Sequence, residues 1–206
     1  MTPYRTIAAL AEDEFEEKRS RFLCAAVPVK TEKEAAAFLA ARRAEHYDAR
    51  HTVYAYVLRE GNAQRCSDDG EPQGTGGMPV LEVIRRAGLV DVCVAVTRYF
   101  GGILLGAGGL TRAYARGAAL AVAAAEVVTM QPCIVCRIRT DYALYGTVSR
   151  LLNDCGAKLL DTDFGVDVTI NVRVAQEDYA AFCRTLTEAT SAGVSAEETG
   201  RVFAAL

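Results

Sequence analysis

Apolar and polar positions change rhythm several times along the chain, and each change predicts an element. Arg21–Val29 (RFLCAAVPV) is apolar and strand-like, and Glu14–Arg19 before it is expected to pair with it. Thr31-Glu32-Lys33-Glu34 has the spacing of a capping box, in which Thr31 accepts from the Glu34 amide and Glu34 reaches back. The helix it opens is predicted to run to about His46, with Ala35, Phe38 and Leu39 on one face. His51–Arg59 (HTVYAYVLR) alternates as a central strand. A Gly-, Asp- and Gln-rich stretch, Glu60–Pro79, follows as a loop too long to be incidental. Next come a short helix from about Met78 to Ala87 and a strand over Asp91–Phe100. The continuous apolar run of that strand predicts burial on both faces. A glycine-rich turn, GGILLGAGG, then leads into a helix from Leu110 to about Glu126.

Beyond it the rhythm repeats differently. Strand Ile134–Thr140, helix Leu144–Cys155, strands Ala157–Asp163 and Val166–Val174, helix Gln176–Thr190 and strand Glu198–Leu206 give a ferredoxin-like βαββαβ order. Phe164-Gly165 is expected to turn between the middle strands, and Gln131-Pro132 to act as a hinge. The reading is an α+β chain of two domains, 1–131 and 132–206.

Composition narrows the function classes. The chain of 206 residues has room for two compact domains, and no apolar run approaches the roughly 20 residues that span a bilayer. The acid-rich N-terminus is neither a signal nor a transit peptide, so a cytoplasmic location without membrane association is expected. The seven cysteines lie mostly among apolar neighbours and read as reduced thiols. Cys133-x-x-Cys136 sits on a strand, where residues three apart face opposite sides, which argues against a zinc or redox pair. Net charge is −3, against a protein that coats nucleic acid by bulk charge. Residues 133–206 carry seven basic and ten acidic side chains, so the whole excess lies there and the N-terminal part is neutral.

Two N-terminal segments do not read as scaffold. In Cys66–Gly77, the carboxylates Asp68, Asp69 and Glu71 crowd into four residues between glycines. They could bind a divalent cation, accept from loop amides as Asx turns, or receive arginines from elsewhere; the last two are favoured because no second acidic cluster completes a metal shell. In Thr97–Arg112, a buried strand empties into a glycine-rich turn that opens a helix, the local design of an anion site, with Arg98 and Arg112 on either side. The competing reading is that Gly106, Gly108 and Gly109 only let the helix pack closely. Neither a P-loop nor a dinucleotide fingerprint is present. His51 reads as a hydrogen-bonding anchor, and no nucleophile stands beside a base, so no reaction, cofactor or metal is expected.

These segments carry a family resemblance. Glu17-Lys-Arg-Ser-Arg-Phe22, Ala44-Glu-His-Tyr-Asp-Ala-Arg-His51, Ser67-Asp-Asp-Gly-Glu-Pro-Gln-Gly74 and the run Thr97–Tyr114 occur in order. Together they resemble the IMPACT family and its bacterial YigZ-like branch. Tyr47 and Gly76 depart from its usual pattern without touching the charged positions. The resemblance implies an N-terminal domain with the fold shared by a small-subunit ribosomal protein, domain IV of elongation factor G and the GHMP kinases. It also implies a C-terminal domain similar to domain V of elongation factor G. Eukaryotic relatives regulate translation by competing for a partner of the kinase that senses uncharged tRNA. That activity depends on a further N-terminal domain that this sequence does not include, so it does not transfer simply.

What carries over is an expectation of RNA or ribosome binding by a non-catalytic translation factor. Its candidate site is Arg19, Arg21, Arg50, His51, Ser67, Asp68, Asp69, Glu71, Gly74, Arg98, Tyr99, Gly101, Gly102, Gly106, Gly108, Gly109 and Arg112. The alternative is an enzyme or sensor holding a small phosphorylated ligand or nucleotide at the glycine-rich turn.

Overall fold

A computed structural model describes residues 2–206. The chain divides into two compact units, one spanning Arg5–Val128 and the other taking Thr129–Leu206 with the first residues up to Tyr4. A short first strand, β1 (Tyr4–Ile7), was not expected from the sequence.

The N-terminal unit is built on an antiparallel sheet of five strands: β2 (Ala11–Glu17), β3 (Ser20–Pro28), β4 (His51–Val57), β5 (Gln64–Ser67) and β6 (Val92–Tyr99). Their order across the sheet is β2-β3-β6-β4-β5. The central β6 explains its own sequence. Val92, Val94 and Val96 face one core with Phe22, Val53 and Ala55, under α2 (Gly77–Arg86) and α3 (Gly106–Ala124). Cys93 and Ala95 face a second core with Leu39 and Tyr56, under α1 (Glu32–Glu45). Alternate side chains enter opposite layers, so every position must be apolar. Thr31 caps α1 by accepting from the Glu34 amide at 3.2 Å, while the Glu34 carboxylate reaches one residue further back than a capping box requires, to the Lys30 amide. The α3 helix packs on the sheet at Gly117, where a Cβ would come within 2.9 Å of Cys24 Sγ and 3.0 Å of Val96.

The other unit orders β7 (Val127–Thr140), β8 (Lys158–Phe164), β9 (Val168–Ala175) and β10 (Ala196–Ala205) as β10-β7-β9-β8. Helices α4 (Tyr142–Asp154) and α5 (Tyr179–Ala189) cover one sheet face over Ile138, Val148, Ile170, Val172 and Leu186. This is the ferredoxin-like arrangement. Three boundaries differ from expectation. The hinge residues Gln131-Pro132 lie inside β7; a strand tolerates proline where its missing N–H is not needed, and Pro132 stands one residue before the ladder to β9 begins at Cys133. The division of the chain falls after Val128 instead of Gln131. Four residues of the expected long loop form β5, defined by its pairing with β4 and not by apolar alternation.

Candidate functional site

Sheet register gathers the four motifs at one end of the N-terminal sheet. Arg21 of β3 stands opposite Tyr99 of β6, and Arg98 opposite His51 of β4. Around that end lie the tip of the β2–β3 hairpin, the start of β4, the 67–77 loop and the residues after β6. The hairpin turns on two residues, Lys18 and Arg19, between the paired Glu17 and Ser20. Both have positive φ, 47° and 63°, the geometry of a type I′ turn that usually selects Asn and Gly. Gly101 lies against this tip, because a Cβ there would overlap the Arg19 carbonyl.

The loop carboxylates are all engaged inside the unit. Asp68 accepts from the amides of Gly74, Gly76 and Gly77 at 2.8, 2.9 and 2.8 Å, closing the loop and tying down the first residues of α2. Burial works to raise its pKa, but the three amides outweigh it and hold the carboxyl below the ordinary range. Asp69 accepts from the Thr52 amide at 2.7 Å and pairs with Arg43 at 2.9 Å. Its own amide donates to Ser67 Oγ at 3.1 Å, and its carbonyl accepts from His51 Nδ1 at 2.8 Å, which fixes the tautomer of that ring. Gly70 packs against the same imidazole. Amide-accepting and arginine-pairing roles are therefore what these carboxylates perform.

Glu71 reaches furthest. Its Oε1 accepts from Arg98 Nη1 and from the Tyr114 hydroxyl, both at 2.7 Å. The side chains of Arg98 and Glu71 are only 7% and 4% exposed, so this is a buried ion pair. Arg98 Nη2 and the Gly101 amide both donate to Ser20 Oγ at 3.3 Å. The guanidinium lies between the rings of Phe22 and Phe100, with centroids 5.6 and 5.4 Å away. Burial first, and then the bond to Glu71, drives the Tyr114 phenol far up, so it remains a donor. The acidic loop and the segment after β6 thus meet through an internal contact, with Arg98 turned inward.

The remaining cations face outward. Arg21 pairs with Glu14 at 2.5 Å. Among the described residues, Lys18, Arg19, Arg50 and Arg112 are exposed and make no ion pair or hydrogen bond through their side chains. Tyr99 donates to Asp48 at 3.0 Å and accepts from His46 Nδ1 at 3.2 Å. Gly102 and Gly106 have φ of 84° and 71° and shape the turn. Gly106, Gly108 and Gly109 fall in the first turn of α3, which starts four residues earlier than expected, with neither an acid nor a side-chain cap. A cleft of about 240 Å³ opens there, between Lys18 of the hairpin tip and Gly109, Arg112 and Arg116 of α3.

A larger cleft of about 330 Å³ lies elsewhere on the unit, lined by Glu12, Asp13, Glu14, Glu45, Arg42, His46 and Cys24. Arg42 is bound there by Glu12 and Glu45 at 2.6 and 3.0 Å. Burial pushes the Cys24 thiol up to about 12, which keeps it protonated and a poor nucleophile. No group of three or more His, Cys, Asp or Glu among the described residues is placed to hold a metal ion.

With this geometry in place, known proteins resolve its kinship. The model of the Impact N-terminal domain matches residues 18–122, from the hairpin tip through most of α3. The chain belongs to the IMPACT family. A second match, to a domain of unknown function (DUF1949), covers residues 138–192. IMPACT family member YvyE of Bacillus subtilis is 36% identical over 189 residues, 91% of this chain and 87% of that one. IMPACT family member YigZ of Escherichia coli is 34% identical over 174 residues, 83% of this chain and 85% of that one. A crystal structure of a hypothetical protein superposes with a TM-score of 0.62 at 30% identity, covering 97% of this chain and 98% of the other. The two matches fall on the two units of the fold, one on each. The cations that complete its surface here, Lys18 and Arg116, lie inside the family domain but were not singled out from the sequence. Lys18 sat within a quoted motif, and a two-residue gap between paired strands was the available signal. Tyr114 escaped notice because a tyrosine on the inner side of a helix reads as core.

Proposed function

We propose that this protein is a non-catalytic accessory or regulatory factor of translation that binds RNA or the ribosome through its N-terminal unit. One observation carries the reading: Lys18, Arg19, Arg50 and Arg112 lie at one end of the sheet without acidic partners, while the carboxylates of the 67–77 loop are all occupied. On a unit with no net charge, such an unneutralised cluster favours a polyanion. Phosphate contacts supply most sequence-independent affinity for nucleic acid and make it fall steeply with salt. The fold resemblance to ribosome-binding domains points the same way.

RNA retention at low salt, measured by fluorescence anisotropy with fragments of ribosomal RNA, tests the proposal. Binding that weakens as salt rises and drops further in Arg19→Ala and Arg112→Ala is expected. An absence of binding at low salt would remove its support. A second reading, an enzyme or sensor for a small phosphorylated ligand, is favoured by the cleft beside the first turn of α3. A thermal-shift panel of nucleotides and phosphorylated metabolites, with and without Mg²⁺, separates the two, since ligand binding at saturating concentration raises the melting temperature.

A further inference from the structure

We infer that the cleft between the β2–β3 hairpin tip and α3 is a phosphate site whose ligands are Lys18, Arg112 and Arg116. This deepens the proposed reading and rests on it only for the source of the phosphate.

Charge comes first. Three cations and a single carboxylate, Glu17, line the cleft. Glu17 forms an ion pair with Arg116 at 3.8 Å, too long for a hydrogen bond, and no acid pairs with Lys18 or Arg112 among the described residues. Position sharpens this. Arg112 folds back over the start of its own helix, so that a Cβ on Gly108 would lie 3.6 Å from its Nη1. A cation beside the positive end of a helix dipole is disfavoured, and nothing in that first turn compensates it. The guanidinium, the ammonium and the helix end add to a positive potential that Glu17 offsets only in part. An anion with several acceptor oxygens relieves it, and the arginine fork suits phosphate.

One ligand is also held in advance: the Arg116 guanidinium lies 4.5 Å from the Phe15 ring centroid. Ordering it costs less entropy than ordering a free surface side chain. The backbone of the hairpin tip that carries Lys18 is fixed by close packing of Gly101 against Arg19. Size then limits the occupant. About 240 Å³ is smaller than the roughly 300–1,000 Å³ of pockets that enclose a drug-sized molecule. The cleft therefore takes a phosphate group while the rest of the molecule lies outside, as in an RNA backbone or the phosphate end of a metabolite.

Titration of the full chain with inorganic pyrophosphate and, separately, with a short uridine oligomer tests the site, read by calorimetry and by amide resonances of Gly108 and Gly109. Lys18→Ala, Arg112→Ala and Arg116→Ala alter exposed side chains, so melting temperatures close to the parent's should confirm that they fold. Pyrophosphate is expected to move the Gly108 and Gly109 resonances, and each variant to weaken binding by roughly tenfold. If the oligomer binds the parent and all three variants equally, with the same salt dependence, the cleft is not the phosphate site, although the RNA reading survives. If pyrophosphate binds at the cleft and the oligomer does not, the site stands, its source is a small molecule, and the RNA reading fails. Silence from both probes overturns both.

Discussion

Arg98, placed by sequence reasoning at the edge of an anion site, donates inward to Glu71 and Ser20 under the ring of Phe100. Removing one partner of a buried pair leaves the other charge uncompensated, so Glu71→Ala is expected to cost about 3–5 kcal/mol in urea unfolding. Replacing both, as Glu71→Leu with Arg98→Met, should restore a large part of that loss. If Glu71→Ala unfolds at the parent's midpoint, the pair does not anchor the loop. Asp68 supplies a pH signature. Its folded pKa lies below the ordinary value, so the unfolded chain takes up this proton first as pH falls. The stability from its amide bonds is complete above the ordinary carboxylate pKa and is lost as pH falls through the lowered folded value. Urea midpoints followed from neutral pH into that acidic range should fall more steeply for the parent than for Asp68→Asn. At this scale the roles of the carboxylates were legible from glycine-flanked acids. Their partners were not, since Arg43, Arg98 and Tyr114 come from elements distant in sequence.

Elements whose apolar rhythm is strong, β3, β6, α1 and α2, begin and end within a few residues of where the pattern puts them. Those defined by their neighbours were missed. The first turn of α3 is rich in glycine, a weak helix former, and the strand β5 (QRCS) has no apolar alternation. The β7 strand runs through a proline that the sequence offers as a break. Close approach of α3 to the sheet leads to a direct prediction: Gly117→Ala forces Cys24 and Val96 apart and should destabilise by about 1–3 kcal/mol. A variant as stable as the parent in denaturant titration would mean that the packing there relaxes without cost.

Across the whole chain, the two units divide the charge, with the acidic excess confined to residues 133–206, while Lys18, Arg19, Arg50 and Arg112 lie at one end of the N-terminal sheet. Four motifs far apart in sequence were legible as one surface only through family resemblance; register explains why they belong together. On the proposed function that surface contacts RNA, and Arg98 and Glu71 support it from within. The most direct test is the salt dependence of RNA affinity for the parent and for the triple variant Arg19→Ala, Arg50→Ala, Arg112→Ala, between about 50 and 200 mM salt. The parent is expected to bind at low salt, and the triple variant to show a slope of log affinity against log salt shallower by nearly one for each phosphate contact removed. Equal slopes and affinities for the two proteins, or no binding by the parent at low salt, would contradict the proposed function.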